Sequence, residues 1–137
     1  MNLYRLVYIS RHSESLSSDD IEAILNASRE HNQRHGISGM LLFCKHYFLQ
    51  CLEGSREQVN QTYNTIVKDQ RHCDALILSY DNIEQRAFGD WAMAYVPETK
   101  LTKAQLFKYC AHATFDPYTL SSKSALALLI SLQDAAR

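Results

Sequence analysis

The run Ile37-Ser38-Gly39-Met40-Leu41-Leu42-Phe43-Cys44-Lys45-His46-Tyr47-Phe48-Leu49-Gln50-Cys51-Leu52-Glu53 decides the architecture. Ile37 to Cys44 and His46 to Glu53 are two strand-like stretches joined too tightly to be anything but a hairpin. Upstream, Gly36 is the stop signal of a helix that opens at Ser17-Ser18-Asp19-Asp20 and runs to about His35, with acids where the helix dipole favours them. Leu3 to Ser10, rich in β-branched and aromatic residues, is the strand before it. Downstream, Ser55 with Gln58 three residues on predicts a capping box and a second helix ending near Lys68. Ala75 to Asp81 and Trp91 to Val96 read as two more strands. Beyond Pro97 come two helices, about Thr102 to Ala113 and Thr119 to Ala135, separated by Asp116-Pro117. The order β-α-β-β-α-β-β, with right-handed crossovers, predicts an α+β, ferredoxin-like sheet. Its first and third strands are then central neighbours and its two helices share one face. The last helix, apolar over much of its circumference, is expected to pack on the other face.

The chain has 137 residues, enough for one domain with a proper core and too few for two. Hydrophobic residues make up 46% and charged residues 21%, which excludes a disordered tail, a collagen-like rod and a disulfide scaffold. Fourteen basic against fifteen acidic side chains leave no bulk field to recruit nucleic acid or anionic lipid, so neither is expected as a partner. The longest apolar stretch, Ala125 to Ile130, is about a third of the ~20 residues that span a bilayer. The N-terminus carries no basic segment followed by an apolar one, so a secretory signal is not expected. Cysteines 44, 51, 73 and 110 contain no C-x-x-C pair. They fit reduced thiols in a cytoplasm better than a disulfide or zinc framework.

Alternation puts Tyr4, Leu6, Tyr8 and Ser10 on one face of the first strand, and His46, Phe48, Gln50 and Leu52 on one face of the third. Gln50 thus sits between two large apolar residues, where an unpaired amide costs roughly 1–3 kcal/mol. Helical spacing continues the inward stripe Ile21, Ile24, Leu25 through Ser28, His31 and Asn32. Half of a core-facing stripe is therefore polar. Opposite it, the second helix offers Val59, Thr62, Tyr63 and Ile66. The picture is a slot with apolar walls, on whose floor Asn32, Ser28, Gln50 and Tyr8 converge. Such a slot suits a flat, mostly apolar ring with amide-like edges. A strand tyrosine is ordinarily core, a buried glutamine can serve a neighbouring backbone, and Asn32 can help cap its helix. His31 and His35 lie at metal-pair spacing, but no third ligand is obvious and no metal is expected. Periodicity alone reaches a buried polar ligand site.

The residues resemble the BLUF domain, the blue-light sensor that uses FAD. The matching stretches are Leu3 to Ser10, His31-Asn32, Gly36 to Leu41, Phe48 to Gly54, Asp69-Gln70-Arg71-His72, and Arg86, Phe88, Trp91 and Met93. The resemblance implies a flavin-binding photosensor domain over residues 1–97 and a helical extension over 98–137. It implies FAD, with FMN or riboflavin possible substitutes, bound between the two helices by Asn32, His31 and Ser28 at the ring's carbonyl and imide edge. Gln50 would bridge Tyr8 and the flavin, and Ile24 and Ile66 would form the walls. Several family members carry an arginine on the second helix that helps hold the dinucleotide tail. Here Thr65 stands there and Lys68 is the nearest cation. The implied activity is light-driven electron and proton transfer from Tyr8, followed by rearrangement of Gln50. The output would run through Trp91 and Met93 to a regulator protein by direct contact, or within a homo-oligomer.

Two rivals remain at this level. One is an acylphosphatase-type enzyme on the same fold, although no glycine-rich phosphate loop follows the first strand. The other is an interaction module without cofactor. A flavin spectrum separates both from a photosensor.

Overall fold

Leu6, Tyr8 and Ser10 lie opposite Leu52, Gln50 and Phe48 across the central strand pair, and that register organises the rest. In the computed structural model, which describes residues 2–12, 16–111 and 115–137, the five strands are β1 (Leu3–His12), β2 (Ser38–Phe43), β3 (Tyr47–Ser55), β4 (His72–Ile83) and β5 (Ala94–Pro97). They form one sheet in the order β4-β1-β3-β2-β5. The β2–β5 pair is parallel and the other pairs are antiparallel. This is the expected ferredoxin-like arrangement with β1 and β3 at its centre. Helices α1 (Ser18–His35) and α2 (Arg56–Lys68) cover one face, burying Ile21, Leu25 and Val59 against Leu6, Tyr8, Phe48 and Leu52. Helix α4 (Ser122–Ser131) covers the other, burying Ala125, Leu128 and Leu129 against Val7, Ile9, Leu49 and Cys51. Helix α3 (Lys103–Tyr109) lies against α4. Among the described residues no helix is long and apolar enough to cross a membrane.

The local signals act as the sequence predicts at most boundaries. Ser17 and Asp20 exchange reciprocal capping bonds of 3.1 and 2.9 Å at the start of α1. Gly36 ends it in the left-handed region at φ 67°, where a side chain would be strained. At Gly39 the constraint is space, because a Cβ there would lie 2.1 Å from the carbonyl oxygen of Cys51. Cys44 and Cys51 are buried, Cys110 is half-buried and Cys73 lies exposed on β4.

Four features differ most from expectation. The capping box at α2 is half made: Ser55 Oγ accepts from the Gln58 N–H at 3.2 Å, but Gln58 Oε1 is buried without a partner. Strand β4 begins at His72 rather than Ala75, because pairing with β1 continues through two register shifts as far as His12. Strand β5 begins at Ala94 rather than Trp91. The reason is chemical: the Ala92 and Met93 carbonyls are taken by side chains of α1, Asn32 Nδ2 at 2.7 Å and Arg29 Nε at 3.0 Å. Trp91 and Met93 therefore do not share a strand face. Met93 is buried under α1 and α2, while Trp91 packs against the core on the α4 side. Finally, the two helices after Pro97 are shorter than predicted, with 3-10 turns at Pro117–Thr119 and Gln133–Ala135. The predicted end of the first of them, Ala113, lies outside the described residues.

A buried carboxylate locks the segment leading into β5. Glu53 is fully buried. It accepts from Arg5 Nε at 2.9 Å, Ser38 Oγ at 3.2 Å, and the Ala87 and Phe88 N–H groups at 2.9 Å each. Five lone-pair contacts, counting the Arg5 guanidinium at 2.8 Å, compensate its desolvation.

Candidate flavin site

Between α1, α2 and the sheet lies a cavity of about 250 Å³. Ile24 and Ile66 give apolar groups on its two helical sides, and Leu41, Phe48 and Leu52 rise from the strands. Ser28, His31, Asn32 and Gln50 are among its polar groups. Six of the eight cofactor contacts read from the sequence and the family resemblance thus line one space. Tyr8 lies behind Gln50 rather than on the wall. Lys68 is exposed outside the lining.

The floor is a chain of contacts. Tyr8 and Gln50 are direct cross-strand partners, so their side chains project to the same face. The Tyr8 hydroxyl donates to Gln50 Oε1, and Gln50 Nε2 donates to Met93 Sδ at 3.4 Å. A thioether is a weak acceptor, so this 95%-buried amide has donor capacity to spare at the cavity floor. Such an under-used amide is what a ligand's polar edge would satisfy. Burial, and secondarily the neighbouring Tyr63, push the Tyr8 phenol well above its ordinary range, so it stays protonated and a donor. The Tyr63 ring meets it edge-on at 5.2 Å.

Asn32 is 2% exposed and its Nδ2 is committed to the Ala92 carbonyl. His31 Nε2 lies 3.0 Å from Thr62 Oγ1, and its ring stacks on His35 at 4.3 Å. Burial, then the charges of His35 and Arg34, hold its pKa below the usual value.

Sequence reasoning set Thr62 at the slot and matched Asp69 to His72 to the family, but did not place Asp69, Arg71 and His72 at the cavity rim. Asp69, Arg71 and His72 line the cavity, with Thr62 and Thr65 of α2. Arg71 clamps Asp69 through guanidinium contacts of 2.6 and 3.0 Å, which pulls the carboxyl down to about 2. His72 is held by Ser10 Oγ at 2.9 Å and packs beside Phe48. Burial depresses it to about 4, with Asp69 opposing and Arg71 and His12 adding. The missed signal was Asp-x-Arg directly after a helix end, where Asp69 Oδ1 also accepts the Arg71 N–H at 2.9 Å. Starting the strand at Ala75 left these residues in a loop.

Residues 3–94 match the family model described as BLUF, sensors of blue light using FAD.

The chain belongs to the BLUF family.

The family uses FAD, and the apolar walls and under-satisfied floor amide of the cavity fit a flavin ring. Among solved structures, the BLUF protein BlsA in its photo-activated state is 31% identical, with a TM-score of 0.85, covering 97% of this chain and 95% of that one. The dark-state structure of BlrB, a BLUF protein, is also 31% identical, with a TM-score of 0.82, covering 98% and 96%. The photoactivated adenylate cyclase subunit beta of Euglena longa is 31% identical over 100 residues. That match takes in 72% of this chain and 12% of the cyclase subunit, so this BLUF chain spans a small part of that relative. A match to this chain thus occurs as a small part of a cyclase subunit.

Proposed function

We propose that this chain switches in blue light through the Tyr8–Gln50–Met93 contacts, with the flavin ring between α1 and α2. That floor chain is the observation that carries the reading. Ile24 and Ile66 would bracket the ring. Asn32, its Nδ2 already engaged, would accept from the ring's imide N–H through Oδ1, with Ser28 and His31 beside it. Lys68 lies off the cavity and Arg71 is engaged by Asp69, so ring contacts would dominate affinity and FMN or riboflavin would bind as FAD does.

When bound, the flavin supplies blue-light absorption and, once excited, a strong one-electron oxidant. Tyr8, its hydroxyl bonded to Gln50, would be the electron donor. Oxidation makes its phenol a strong acid, and Gln50 Oε1 is the acceptor already bonded to it. Return of the electron and the proton restores Tyr8. The carboxamide has an acceptor end and a donor end, so rotation or tautomerisation gives it a second stable pattern. In that pattern Gln50 would present an additional donor to the ring's carbonyl edge, read as a small red shift, and Nε2 would leave Met93. Trp91, already facing away from the cavity, would respond through the backbone it shares with Met93. The signal would pass by contact to a separate regulator or within a homo-oligomer, a sensor's role rather than an enzyme's.

A light-minus-dark spectrum of purified flavin-loaded protein tests the reading. Wild type gives a reversible red shift, and Gln50→Leu keeps the yellow colour without the shift. A normal shift in the leucine variant removes Gln50 from the mechanism.

A further inference from the structure

Three successive carbonyls leading into β5 are each held by a different donor. The Trp91 oxygen accepts from the Gly39 N–H at 3.1 Å, the Ala92 oxygen from Asn32 Nδ2 at 2.7 Å, and the Met93 oxygen from Arg29 Nε at 3.0 Å. Arg29 is different: its guanidinium also donates through Nη2 to the main-chain oxygen of Arg137 at 2.8 Å. Arg137 in turn forms a two-way backbone pair with Tyr95 of β5, at 2.9 and 3.0 Å. Its own guanidinium reaches Glu22 of α1 at 2.7 Å and lies over the Tyr95 ring at 4.9 Å.

Resting on the switch reading above, we infer that Arg29 is a positioning residue: its forked guanidinium couples the place of Met93 to the docking of Arg137 on β5. The planar fork is what allows one side chain to serve two main-chain oxygens at once, and an ammonium has no such geometry. Met93 is the residue that touches Gln50 Nε2. When that contact is lost and Met93 shifts, its carbonyl and the Arg137 main-chain oxygen can no longer share one rigid fork, and the Tyr95–Arg137 pair loosens. A hydrogen bond to a charged group, at a solvent-facing site, corresponds to roughly a tenfold change in opening.

Amide hydrogen exchange at Tyr95 and Arg137 in the full chain, followed by NMR, tests this. In darkness Arg29→Met is expected to speed exchange at both amides about tenfold. The core amides of β1 and the flavin spectrum should be unchanged. Illumination is expected to speed the same two amides in wild type and to add nothing in the variant. Arg29→Lys, which keeps charge and stem, should follow Arg29→Met. Wild-type exchange in both variants overturns the inference, as does a full red shift in wild type with no change at either amide. Should no red shift form at all, the switch reading fails, while the dark comparison of Arg29→Met with wild type still decides whether Arg29 holds the two segments together.

Discussion

At the scale of single residues, the site depends on a phenol and an amide facing each other across the centre of the sheet. Tyr8→Phe keeps the ring and the edge contact with Tyr63 but removes the donor to Gln50. It is expected to bind flavin normally and lose the light-induced red shift, measured by absorbance before and after illumination. Gln50 and Asn32 were legible in the sequence because each breaks an apolar stripe whose period is known, so their burial implied a partner. Lys68 was reached by sequence distance rather than by position, and it is exposed outside the cavity lining. Helix α2 turns it to solvent, and the cation brought to the cavity is Arg71, past the helix end. That placement depends on where β4 begins, which is a matter of pairing with β1 rather than of local composition.

At the scale of elements, caps and the hairpin were readable because they rest on local chemistry, whereas β5 was not. Its start is set by Arg29 and Asn32, some 60 residues away in sequence, and no strand pattern around Trp91 records that. The hairpin depends on one close approach. Gly39→Ala would drive a methyl group into the Cys51 carbonyl, backbone against backbone, so β2 must shift. The same residue's N–H holds the Trp91 carbonyl. Destabilisation of about 1–3 kcal/mol is expected from urea titration, with weaker protection of the amide at position 39.

At the scale of the whole molecule, strand order and the covering of both faces followed from counting elements and applying handedness. Acid sensitivity did not, because it arises from what surrounds two groups at the cavity rim. His72 ordinarily titrates near 6.5 and is depressed to about 4 in the fold. The unfolded chain therefore takes up that proton first, and stability falls as pH drops from 6.5 towards 4. Asp69 acts in a lower window: its contribution is complete above 3.8 and is lost as pH falls through about 2. The urea midpoint of wild type is expected to drop between pH 7 and 4.5. His72→Phe, which removes only the upper window, should show a smaller drop over that interval. The placement of thiols has a practical corollary. Cys44 and Cys51 are sealed in the interior, and burial raises their pKa values and that of Cys110, which suppresses the reactive thiolates. Cys73 is exposed and adjacent in sequence to His72 at the cavity rim. A maleimide dye added to the unmutated protein should therefore attach there first, giving a fluorescent gauge of distance from the sheet's outer edge to the chromophore.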